Sequence, residues 1–139
     1  MGIILTITIL INGFASYYDP DWMPIVYNNR IKYQQVQPCP ECIDMVAVLD
    51  KEMLGHKLWF SLDGQTFYGP MLIVDCAAEA DYARLKAKNL VVELSYQMWQ
   101  QLKLPRDLVP ITITYIDPKL WHPNYLIYDS TNVWYQPHF

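Results

Sequence analysis

The sequence predicts a mainly β protein folded as one domain, closed or nearly closed into a barrel and carrying two short helices. Three observations predict it. Residues 3–11 alternate Thr with Ile, and Val109, Ile111, Ile113 and Tyr115 alternate with Pro110, Thr112 and Thr114, as half-buried strands do. Two β-rich runs, 58–62 and 66–74, flank Asp63-Gly64, a dipeptide that favours the twisted two-residue hairpin turn. Finally, helical stretches are too few for repeated strand–helix–strand units. A closed barrel would bury the strand faces and remove the edges that an open sheet of this composition exposes.

With 139 residues, the chain suits a single domain of ordinary size. A hydrophobic fraction of 53% against 17% charged residues is enough for a real core and excludes wholesale disorder. Ten Lys and Arg against fourteen Asp and Glu, with no basic cluster, exclude a phosphate-seeking surface, so no nucleic-acid partner is expected. The apolar stretch 1–11 is too short to span a bilayer. It reads as a first strand. The alternative is the remnant of a secretory leader, because Gly13-Phe14-Ala15 offers small residues at the right spacing although no basic start precedes it.

Along the chain, Asn12-Gly13 reads as punctuation, and Pro20, Pro24, Pro38 and Pro40 make 19–42 mostly loop. So long a loop hints at a binding surface. Residues 43–49 form a strand and 77–88, rich in Ala, Glu, Leu and Lys, a short helix. A strand at 90–94 precedes Ser95, which caps a helix with Met98, Trp99 and Leu102 on one side; this helix stops before Pro105. The barrel is thus expected within 1–116, with 1–12 an extra strand or leader. Residues 117–139, rich in proline and aromatics, form an extension that packs on the barrel or on a protein partner.

Asp75 stands out because it ends the apolar run Met71-Leu72-Ile73-Val74, where packing gives no reason for a polar side chain. Partial burial of a carboxyl at such a strand end can raise its pKa and let it donate a proton. Its alternative role is to cap the 77–88 helix. Asp19 and Asp21 follow Tyr17-Tyr18 and precede Trp22, and aromatic faces beside carboxylates suit a carbohydrate. Turn formation by Asp-Pro-Asp is the competing role.

Cys39 and Cys42 could be a redox pair, metal ligands or a staple, and Cys76 could cross-link to either. A tetrahedral site would need two more ligands where only Cys76 and the scattered His56, His122 and His138 remain. No metal or other cofactor is expected.

The order of these segments resembles a six-stranded double-psi β-barrel of the rare-lipoprotein-A and expansin type. The segment Gly13-Phe14-Ala15-Ser16-Tyr17-Tyr18 resembles that family's opening motif, and Gly69 through Asp75 its central strand ending in a functional aspartate. Val91-Val92-Glu93-Leu94-Ser95 is similar to its Val/Ile-Asp-Leu-Ser segment, with Glu93 in the aspartate's place. Ser16-Tyr17-Tyr18-Asp19 is similar to the opening of family-45 endoglucanases. That similarity implies Asp19 as base and Asp75 as acid of an inverting hydrolase, whose carboxyls lie about 6.5–9.5 Å apart.

The resemblance implies an extracellular or cell-envelope protein that binds, loosens or cleaves a cell-wall glycan such as cellulose or peptidoglycan. Tyr17, Tyr18, Asp21 and Trp22 would then contact the substrate. Leu49 occupies the place of the histidine in peptidoglycan-cleaving members, and leucine passes no proton, so little or no peptidoglycan cleavage is expected. The reading from a different class is a catalytically inactive adaptor in a secreted assembly or virion.

Overall fold

The structure, a computed structural model, describes residues 10–116 and the short strands at 127–128 and 134–135. The strand or leader expected over residues 1–9, and most of the extension expected over 117–139, lie outside the described residues. Strand β1 (Leu10–Tyr17) runs through Asn12-Gly13 without a break, contrary to the punctuation expected there. Gly13 serves close approach rather than a turn. A Cβ on it would sit 2.4 Å from Val91 Cγ1 and 2.7 Å from the Asn89 carbonyl oxygen.

The expected loop over 19–42 contains a helix instead, α1 (Met23–Lys32). Pro24 lies in its first turn, where a missing N–H costs nothing, and Arg30 and Lys32 complement the dipole in its last turn. Next come β2 (Asp44–Val48), a 3-10 turn at Lys51–Met53, β3 (Lys57–Ser61) and β4 (Tyr68–Cys76). Strands β3 and β4 pair antiparallel as expected, but Phe60 lies opposite Tyr68, so the connection is longer than two residues. The Asp63 carboxylate sets this loop by accepting the N–H groups of Gln65 and Thr66, each at 2.8 Å, and the Ser61 hydroxyl at 2.9 Å.

Helix α2 (Glu79–Ala87), strand β5 (Leu90–Leu94), helix α3 (Tyr96–Gln101) and strand β6 (Val109–Ile116) fall where the sequence pattern puts them. Ser95 caps α3, its Oγ accepting the Met98 N–H at 3.1 Å. Beyond the helix, Trp99 Nε1–H donates to the Pro105 carbonyl at 2.9 Å. Strands β7 (Ile127–Tyr128) and β8 (Trp134–Tyr135) form a separate antiparallel pair.

Six strands close into a barrel in the order β1-β5-β2-β4-β3-β6. Two of its pairings, β1 with β5 and β2 with β4, are parallel, and the others are antiparallel. Val46, Leu58, Phe60, Met71, Ile73, Val92, Leu94 and Ile113 fill the interior, and Trp99 of α3 packs on the same cluster. On β4, Met71 and Ile73 face this core while Leu72 and Val74 join Met23 and Val36 in a second cluster. Burial on both faces explains why the strand reads as an unbroken apolar run. The α1 helix and the 39–42 loop therefore lie against the outer side of β4.

Candidate functional site

Alternation along β5 sends Val92 and Leu94 inward and turns Glu93 the other way. Val46 and Val48 likewise face inward, which leaves Ala47 on the outer side of β2. Glu93 pairs with Ala47, and Ala47 pairs with Asp75 on the next strand. The three residues form one row across β5, β2 and β4. Simple alternation after Met71 and Ile73 would drive Asp75 into the core. It is spared by a register shift: Val46 opposes Ile73 and Ala47 opposes Asp75, so two β4 residues match one on β2. Such a bulge re-aims a side chain, here bringing Asp75 level with Glu93 across a residue with only a methyl group.

A recess of about 280 Å³, counting its open mouth, lies along this row. Asp75, Glu93 and Tyr18 supply its oxygen groups, with Cys76, Leu49 and Leu85 of α2 among the other walls. Arg30 approaches Asp75 from α1. Its Nη2 donates to Asp75 Oδ1 at 2.8 Å, and its Nη1 to Gln35 Oε1 at 2.9 Å. Tyr18 donates its hydroxyl to Asp75 Oδ2 at 2.5 Å, and the Cys76 N–H donates to Oδ1 at 2.9 Å. Side-chain exposures of 21% for Arg30 and 18% for Asp75 shield the ion pair enough to distinguish it from a solvated surface pair.

Electrostatics marks out Glu93. Burial, with the Asp75 charge adding to it, pushes Glu93 from its ordinary 4.5 up to about 7. Tyr18 is raised above its ordinary range by burial and by its bond to Asp75. Burial also pushes the Cys76 thiol up, against the pull of Arg30, which leaves it a weak nucleophile at neutral pH. The site thus presents a carboxyl group raised to about 7, able to give or take a proton near neutral pH, close to a second carboxyl held by three hydrogen bonds.

The residues singled out in the sequence divide between this recess and other surfaces. Asp75 and Tyr18 line it. Asp75 does not cap α2: the cap position is Ala78, without a side-chain bond. Asp19 is exposed, with Oδ1 accepting the Asp21 N–H at 2.9 Å, and neither Asp19 nor Asp21 borders the recess. Tyr17 stacks on Tyr96 and Trp99, with centroids 5.3 and 5.5 Å apart, and Trp22 stands exposed at the start of α1. Cys39 bonds to Cys42 and Cys76 is free, so Cys76 is not tied to the loop. Leu49 lines the recess as well.

Sequence reasoning missed Arg30 altogether and assigned Glu93 no role. A charged residue inside the run Leu-Val-Val-Glu-Leu was a usable signal for Glu93, whereas nothing local marks Arg30. Among the described residues, no group of three or more His, Cys, Asp or Glu is placed to hold a metal ion. None of the described helices is long and apolar enough to cross a membrane.

Comparison with family models, with curated proteins and with solved structures finds no match to this chain. The class defined by fold and recess is a small, mainly six-stranded closed β-barrel, an architecture consistent with barrel-type carbohydrate-binding families.

Proposed function

We propose that this protein is a double-psi-type barrel of the extracellular or cell-envelope space that binds a polysaccharide at the recess between Asp75 and Glu93. The observation that carries the reading is the pairing of both residues with Ala47, which sets two carboxyls on one open surface. Their backbones stand two strand spacings apart, about 10 Å. The recess is shallow, its volume of about 280 Å³ including the open solvent at its mouth, so it would touch a glycan chain along one side and enclose no ring. The two interlocked parallel pairings support the double-psi assignment, and the Cys39–Cys42 disulfide supports an oxidising location.

In this reading Glu93 replaces Asp75 as the proton donor, and Asp75 steadies positive charge developing on the sugar. Asp19 serves the turn before α1. Asp75 already accepts three hydrogen bonds, however, and that observation favours a second reading, an adaptor barrel whose braced carboxylate is structural. Titration calorimetry and turnover assays with soluble cellulose oligomers and peptidoglycan fragments, on wild type, Asp75→Asn and Glu93→Gln, separate the two. Glycan binding that weakens about tenfold or more in Asp75→Asn is expected, as hydrogen bonds to charged groups are worth about 1.5–3 kcal/mol. Turnover, where present, is lost in Glu93→Gln. Leu49 in the wall leads us to expect little peptidoglycan cleavage. Absence of binding to every glycan would leave the adaptor reading.

A further inference from the structure

Alternation along β3 places Leu58 and Phe60 in the barrel interior, so Trp59 between them points out of the barrel. On β6, Ile111 and Ile113 face the same interior and Thr114 points out. Trp59 and Thr114 are cross-strand partners, and Leu10 of β1 completes their row. Such outward positions are buried only where something packs on the wall. Exposure falls along this row, from 53% at Leu10 to 6% at both Thr114 and Trp59. Trp59 belongs to neither of the two apolar clusters described above. One face of its indole lies on Gly69, where a Cβ would come within 2.7 Å of Trp59 Cγ and Cδ1. Its low exposure requires a cover on the other face too. Thr114 Oγ1 is buried and has no hydrogen-bond partner among the described residues. Under an open surface water would serve that hydroxyl, so it also marks a covered spot.

The ring and its helices limit what the cover can be. Every strand of the barrel has two neighbours, so no edge is free to take another strand and a covering segment must lie on a face. Helix α1 lies on β4 and α2 against β5, on the side of the wall that carries the recess. Strand β6 ends at Ile116, two residues beyond Thr114 and about 7 Å from it. The residues that follow, 117–139, include six aromatic side chains against three charged ones, Asp117, Lys119 and Asp129. Asp117-Pro118 is a turn-forming pair, which suits a chain that reverses over the face it has just left. We infer that residues 117–139 fold back over the outer face of β3 and β6, with Trp59 and Thr114 as the seat of this cover. The segment is then part of the domain, and its aromatic side chains shield the barrel wall instead of meeting another molecule. The inference is independent of the glycan reading, whose recess lies on β5, β2 and β4.

Isotope-edited NMR of the full chain tests this, with the Trp59 indole identified by its loss in Trp59→Phe. Nuclear Overhauser effects from the Trp59 ring and the Thr114 methyl to side chains of residues 117–139 are expected, and they should persist on dilution. Hydrogen exchange followed by mass spectrometry supplies a second reading. Thr114→Lys puts a charge under the cover and should speed amide exchange within 117–139 by about tenfold or more, with the barrel strands still protected. Leu10→Lys, at the open end of the same row, should leave that exchange at the wild-type rate. Where Thr114→Lys does not fold, the wild-type contacts decide alone. Four results would overturn the inference: contacts confined to residues 1–116, an indole open to solvent in the isolated chain, contacts between labelled and unlabelled chains, or unchanged exchange in folded Thr114→Lys. The second of these would assign the face to a separate partner and the third to another copy of the chain. Failure of glycan binding moves neither reading and bears on the proposed function alone.

Discussion

Replacing Glu93 by glutamine keeps the size of the side chain and removes its ionisation, so wild type and variant should diverge in stability only where that carboxyl changes charge. In the folded chain burial, together with the Asp75 charge, raises it from 4.5 to about 7. The unfolded chain has neither influence. Between these two values the folded protein holds a proton that the unfolded chain has released, so stability falls as pH rises. The stabilising contribution is complete below the unfolded value and gone once pH has passed the folded one. At about 1.4 kcal/mol for each tenfold change, the gap corresponds to about 3 kcal/mol. Urea unfolding of both proteins from about pH 4 to about pH 9, compared through midpoints at constant slope, measures it. Glu93→Gln should gain about 3 kcal/mol on wild type across the window, with the difference constant below it and constant at its full value above it. A difference flat to about 0.5 kcal/mol, the range of an inconsequential surface change, would refute the reasoning and take the neutral acid out of the site.

Two further outcomes concern the frame that holds the recess. Gly13→Ala places a methyl group 2.4 Å from Val91 Cγ1 and 2.7 Å from the Asn89 carbonyl, and should cost about 1–3 kcal/mol in thermal unfolding as β1 and β5 are forced apart. An unchanged midpoint would mean that the strands do not approach as described. Ser95→Ala removes both the cap on the Met98 N–H and a hydroxyl bond to Asp44 Oδ2 of 2.6 Å, and should cost about 1–2 kcal/mol. Near-ultraviolet circular dichroism of Trp99 would register the loosened helix, and an identical spectrum and stability would count against the cap.

The sequence made the fold easier to read than the site. Strand β6 announced itself through alternation, helix α2 through its composition and helix α3 through its one-sided apolar residues and the Ser95 cap. Helix α1 was hidden because Pro24 reads as a breaker and acts as a first-turn residue. At Gly13 the misleading signal was the opposite one, a turn residue used to let two strands touch. Asp75 was visible as a charge ending an apolar strand. Its partners were not, since Tyr18 lies 57 and Arg30 45 positions away in the chain, and a bulge decides where the carboxylate points. A bulge is a mismatch between two strands, so neither strand's own pattern contains it.

The closed ring also constrains how the chain can be made. Strand β1 has its neighbours in β5 and β6, with Phe14 opposite Leu90 on one side and Pro110 on the other. During synthesis from the amino end, this early segment waits with both backbone edges unsatisfied until nearly the whole barrel sequence has left the ribosome. Such distant pairing slows folding, and waiting strand edges invite union with other chains. Production of this protein is therefore expected to favour slow translation, low temperature or chaperones that cover an extended segment, even though the finished ring offers no free edge.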